Sequence, residues 1–205
     1  MPRPDRRLVV AAVALALSAA AVVGWVVLRD SSTDAGPRPA ASATATASAS
    51  PRSLDDSSTG FVPDRIEIDA IDVAASVVDL GRSADGSQEV PEALDVAGWW
   101  RDGSRVGGPG SAAVVGHTSS SGGAVFDRLG ELEPGDRVGV DGADGERADF
   151  VVRRVESVPV EDFARVASRV YARSGPRLLA IMTCGDFDGS AFTTTVIAWA
   201  TPDRS

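Results

Sequence analysis

Leu178-Leu179-Ala180-Ile181-Met182-Thr183-Cys184-Gly185 reads as a buried strand that ends on the only thiol of a 205-residue chain and stops at a glycine. An apolar run of this length, bounded by turn residues, has the signature of a core strand. Working outward, Ile66 and Ile68 alternate with Arg65, Glu67 and Asp69 at period two. Further short β-rich runs fall at Val77-Val78, Ala112 to Val115, Val138 to Val140, Phe150 to Val160 and Thr193 to Ala200. Turn residues separate them: A-D-G at Ala84 to Gly86, G-G-P-G at Gly107 to Gly110, P-G-D at Pro134 to Asp136 and D-G-A-D-G at Asp141 to Gly145. Short strands punctuated in this way predict an all-β barrel or sandwich. One helix is expected over Phe163 to Ala172, where Phe163, Val166, Ala167, Val170 and Tyr171 form a single apolar stripe. Asp162 is placed to cap it.

The strand signals begin only after residue 60. Arg3, Arg6 and Arg7 precede an uncharged run from Leu8 to Leu28. As a helix, its 21 residues span about 31 Å, enough to cross the hydrocarbon core. Residues 1–29 are therefore expected to be a cytoplasmic amino terminus and a transmembrane signal anchor, with the rest of the chain outside the cell. The competing reading is a cleaved signal peptide, because Ala19-Ala20-Ala21 has cleavage-like small residues. The apolar run nevertheless exceeds the usual 7–15 residues of a signal peptide. Residues 30–60 are rich in Ala, Ser, Thr and Pro and carry almost no large apolar side chain, so they are expected to form a disordered tether. Residues 61–205 form the remaining domain.

Composition excludes several classes of function. The outer domain carries 14 arginines against 24 acidic residues, a net charge of −10, which disfavours nucleic acid as a partner. One cysteine forbids an internal disulfide. One cysteine with one histidine cannot make a protein-only Cys/His zinc site. Asp141, Asp144 and Glu146 lack the spacing of a calcium loop and read as a solvated hairpin tip. Trp99-Trp100, Phe126 and Leu129 read as core and groove wall.

Chemistry that needs one thiol and one imidazole remains open. Cys184 alone could be a small buried hydrophobe, and His117 alone a rim histidine bonded to a carbonyl. Yet both end expected strands, 67 residues apart, and each is followed by a loop of small residues. An imidazole beside a thiol stabilises the thiolate for attack and then protonates a leaving amine.

Several motifs carry a family resemblance: A-V-V-G-H at Ala113 to His117, G-A-V-F-D-R-L-G-E-L-E-P-G-D at Gly123 to Asp136, and A-I-M-T-C-G at Ala180 to Gly185. V-P-D-R-I-E-I-D-A-I-D-V at Val62 to Val73 and E-V-P through G-W-W at Glu89 to Trp100 add to them. In this order they resemble the sortases, membrane-anchored cysteine transpeptidases of Gram-positive bacteria, and most of all the actinobacterial class F group. The resemblance implies a closed eight-stranded β-barrel with one or two short helices, and no metal or cofactor. It implies that Cys184 attacks the Thr–Gly bond of an L-P-x-T-G-like sorting signal to form a thioester. A cell-wall amine or water then resolves the thioester, and His117 is the general acid. The partners implied are the C-terminal sorting signals of secreted proteins, a cell-wall precursor amine and, through residues 8–28, the membrane.

One departure stands out. Sortases carry an arginine on the strand after the cysteine, and its position here falls on Thr193 in Phe192-Thr193-Thr194-Thr195. No arginine lies between Arg177 and Arg204. Arg101, Arg105, Arg128, Arg153 and Arg154 are candidates to replace it from elsewhere. The alternative is a weak or inactive sortase-fold protein that binds peptide. An L,D-type cysteine transpeptidase, which places S-H-G-C together, does not fit a separation of 67 residues.

Overall fold

The computed structural model describes residues 59–84 and 88–204. The expected anchor and nearly all of the expected tether lie outside the described residues. Among those described, no helix is long and apolar enough to cross a membrane.

Eight strands close into a barrel: β1 (Pro63–Ile68), β2 (Val73–Leu80), β3 (Ala97–Trp100), β4 (Ser111–Gly116), β5 (Arg137–Gly142), β6 (Arg147–Pro159), β7 (Leu178–Phe187) and β8 (Phe192–Pro202). Around the barrel the order is β1-β2-β3-β4-β7-β8-β6-β5. Closure pairs every strand on both sides and so removes free edges. Most neighbours are antiparallel, but β2 runs parallel to β3 and β4 parallel to β7. A parallel pair needs a long crossover. That between β4 and β7 contains β5, β6 and the helix α1 (Ala164–Val170).

Alternation along the strands sorts side chains into two apolar clusters. Ile66, Ile68, Val114, Phe126, Phe150, Leu179, Ile181 and Ala198 belong to the barrel interior. Trp100, Ala113, Ala180, Met182, Ile197 and Trp199 form a second cluster on the outer face, where Val170 and the half-buried Phe163 and Val166 of the helical segment cover them. Arg169 of α1 stacks 4.4 Å from the Trp199 ring centroid, and Trp199 donates its indole N–H to Glu156 at 2.6 Å. The run ending at Cys184 is therefore apolar on both faces because barrel residues cover one side and the helix covers the other.

The structure differs from the sequence reading in four places, the first being that β7 does not stop at Gly185 but pairs with β8 as far as Phe187. β3 lacks a strand-length apolar run, and its Gly98 leaves room for the Leu80 side chain, which would have to shift to admit a Cβ. The helix is shorter than the expected Phe163 to Ala172: α1 begins after its N-cap Phe163 and ends at its C-cap Tyr171, and a separate 3-10 turn, Val160–Asp162, precedes it. Asp162 consequently does not cap α1, whose N-cap is Phe163 without a side-chain bond; Asp162 pairs with Arg165 at 2.8 Å.

Ile181 is completely buried inside the barrel, whereas Val160 is exposed on the 3-10 turn. Ile181→Ala should cost about 2–5 kcal/mol in urea denaturation, and Val160→Ala should stay within about 0.5 kcal/mol.

Candidate active site

The parallel register of β4 and β7 builds the site. Ala113 pairs with Ala180, Val114 with Ile181 and Val115 with Met182. Carried on by two residues, the same register sets His117 opposite Cys184. Alternation fixes the face: Ala113 and Val115 precede His117, and Ala180 and Met182 precede Cys184, so both chemical side chains continue the outer face. The buried Thr183 hydroxyl clamps the two strand ends by donating to the Gly116 carbonyl at 2.9 Å.

The glycines beside these residues are there for space. A Cβ on Gly116 would overlap the Phe126 ring and Val125, and one on Gly185 would lie 2.7 Å from Val196 Cγ2 and 2.8 Å from Thr194 Oγ1. Phe126 can thus pack behind His117, and its N–H donates to the His117 carbonyl at 3.0 Å. The next residue, Asp127, organises the small-residue loop. Its carboxylate accepts from Ser119 N at 2.6 Å, Ala124 N at 2.8 Å and the Thr118 hydroxyl at 3.3 Å.

His117 Nε2 lies 2.6 Å from the Pro91 carbonyl oxygen. A carbonyl only accepts, so Nε2 carries the hydrogen and Nδ1 is the nitrogen left to take up a proton. Pro91 belongs to the strap between β2 and β3, which is itself anchored. Gly81 N donates to Glu89 Oε2 at 2.6 Å, Glu89 N donates to Gly81 O at 3.0 Å, and the Tyr171 hydroxyl donates to Gln88 Oε1 at 2.5 Å.

These parts enclose a groove of about 310 Å³, lined by His117, Cys184 and Thr195 with an apolar wall that includes Val90, Phe163, Tyr171, Met182 and Phe192. Cys184 is exposed and is a free thiol. The structure therefore brings the two expected chemical residues together. Thr193 is not among the lining residues; its hydroxyl donates to the Asp186 carbonyl at 2.9 Å.

None of the five candidate arginines lines this groove. Arg101 lies in a separate cavity with Arg82, Trp100 and Arg173, and Arg105 in another beside Phe61 and Asp79. Arg128 pairs with Asp72 and Glu131, Arg153 bonds the Thr201 hydroxyl, and Arg154 pairs with Glu156. Sequence reasoning missed Pro91, Asp127 and Thr195. The E-V-P and F-D-R segments carried a signal for the first two, as parts of quoted motifs. The third appears only once the register of β7 and β8 is known.

A family model described as the sortase domain matches residues 66–203. The chain belongs to the sortase family, whose members are cysteine transpeptidases. Similar solved structures include sortase C-1 from Actinomyces oris, at 21% identity and TM-score 0.55, with 69% of this chain and 73% of that one covered. Sortase A from Corynebacterium diphtheriae is similar at 18% identity and TM-score 0.54, covering 70% of this chain and 61% of that one. Sortase A of Listeria monocytogenes is similar at 17% identity and TM-score 0.54, covering 70% and 88%. At these identities the likeness speaks for the fold. No curated protein sequence matches.

Two predictions follow from the supports of the groove. Asp127→Ala removes three acceptor contacts and should cost about 1–3 kcal/mol in stability, with faster amide exchange in residues 118–124. Burial pushes the Tyr171 phenol above its ordinary value, against the opposing charge of Arg82. The folded chain therefore holds this proton where the unfolded chain releases it. Stability should fall as pH rises past about 10, and Tyr171→Phe should remove that part of the fall. Tyr171 is the only tyrosine, so tyrosinate absorbance reads this group directly.

Proposed function

We propose that the chain is a membrane-anchored cysteine transpeptidase of the class F type that acts on an L-P-x-T-G-like sorting signal. The supporting observation is that its only thiol, Cys184, and its only imidazole, His117, open into one apolar groove. The apolar wall suits the leucine and proline of such a signal, and the carboxyl-terminal end of β7 leaves the thiol accessible. The quoted motifs from Val62 to Asp136 support the class F assignment.

In this reading the Cys184 thiolate attacks the threonine carbonyl carbon of the Thr–Gly bond. A C–S bond forms and the carbonyl π pair moves onto oxygen. Collapse restores the carbonyl and breaks the C–N bond, and the departing glycine nitrogen takes a proton from the His117 imidazolium. The thioester carbonyl is then attacked by an amine of a cell-wall precursor or by water, whose proton passes to the now neutral His117 as the C–S bond breaks and the thiolate returns. Residues 8–28 would hold the protein in the membrane with residues 61–205 outside, where secreted substrates are presented.

A second reading is favoured by one observation: among the described residues no arginine lines the groove. In that reading the protein is a weak or inactive sortase fold that binds peptide. One experiment separates the two. The purified protein is incubated with an L-P-x-T-G-type peptide and its intact mass measured. A thioester adduct on the wild type, absent from Cys184→Ala, is the expected outcome. Saturable peptide binding with neither adduct nor cleavage would establish the second reading.

A further inference from the structure

Formation of a thioester places a negative charge on the former carbonyl oxygen, and such an oxygen needs a donor already in position. Beside Cys184, β8 carries three successive threonines, which alternate between the two faces of the sheet, and the structure distinguishes them. Thr193 donates to the Asp186 carbonyl at 2.9 Å, and Thr194 donates to Asp186 Oδ2 at 2.9 Å. Both protons are committed. Thr195 is the residue paired directly with Cys184 across the antiparallel β7–β8 ladder.

Direct cross-strand partners carry their Cβ atoms about 4.5–5.5 Å apart on one face. The face is the outer one, because Met182 and Ile197, the next pair along the ladder on that side, both lie in the outer cluster. Thr195 lines the groove with His117 and Cys184, half-buried beside an apolar wall. No hydrogen bond within the described residues commits its hydroxyl, unlike those of Thr193 and Thr194.

We propose that Thr195 is a further catalytic residue, whose hydroxyl donates to the oxyanion that forms as Cys184 attacks. The proposal rests on the transpeptidase reading above. As the C–S bond forms, the carbonyl π pair becomes a lone pair on oxygen and the Thr195 O–H points at it. As the C–N bond breaks the pair returns to the carbonyl, and the hydroxyl is left unchanged. No proton is transferred to or from Thr195, so its action is purely electrostatic. A neutral hydroxyl in a partly dry groove does part of what a positive charge does elsewhere.

The test compares wild type, Thr195→Val, Thr195→Ser and Thr193→Val in steady-state cleavage of an L-P-x-T-G-type peptide. In parallel, the rate of Cys184 alkylation by iodoacetamide is followed. Thr195→Val preserves shape and removes the donor. It should lower kcat about 10²-fold with KM little changed and with alkylation at the wild-type rate. Thr195→Ser should recover most of the loss, and Thr193→Val should match wild type. If the valine variant fails to fold, Thr195→Ala provides the same comparison. Wild-type kcat in a folded Thr195→Val or Thr195→Ala variant, or an equal loss in Thr193→Val, would overturn the proposal. Absence of adduct and cleavage in the wild type would instead overturn the transpeptidase reading.

Discussion

Strands β4 and β7 are separated by two further strands and a helix in sequence, yet they hydrogen-bond in parallel from Ser111 and Leu178 to Val115 and Met182. That register is the constraint on which the site depends. A slip of one residue would turn either His117 or Cys184 toward the barrel interior, since side chains alternate at period two. The interior face is already filled by Val114, Leu179 and Ile181, and the Thr183 hydroxyl pins Gly116 at the open end. Burial of the core thus sets the position of the chemistry, and the two glycines allow the neighbouring rings and strands to close behind it.

The electrostatics of the domain give the groove its second character. The domain is acidic, and several of its arginines are engaged with carboxylates or rings away from the groove: Arg147 with Asp141, Arg128 with Asp72 and Glu131, and Arg169 over Trp199. What faces Cys184 is imidazole, hydroxyl and hydrocarbon. In such surroundings hydrogen bonds to a developing charge are stronger than in water. The imidazole has its tautomer set by a backbone carbonyl on the strap rather than by an acidic side chain.

Much of this is legible in the amino-acid sequence. The apolar run leading to Cys184, the one leading to His117 and the turns between the runs follow from periodicity and from Gly, Pro and Asp placement, whereas the extension of β7 through Gly185 to Phe187 does not. β3 is not legible, because its four residues, Ala97 to Trp100, are too few to show a period and include a glycine. The helix is shorter than its apolar stripe because the stripe marks which side chains pack, and its end members Phe163 and Tyr171 pack from the two cap positions of α1. Within the site, His117 and Cys184 stand out as the only histidine and the only cysteine of the sequence. Thr195 does not, since three successive threonines look alike in sequence and only the sum of the β7–β8 pairing tells which one faces the thiol.

The central claim is that His117 and Cys184 share one groove as neighbours in register, and the chain's composition makes it directly measurable. With a single histidine and a single cysteine, one set of imidazole resonances and one modification site exist. Capping Cys184 with methyl methanethiosulfonate should displace the His117 ring C–H resonances in the NMR spectrum and leave the fold intact. Ring resonances that stay in place on complete capping would contradict the account.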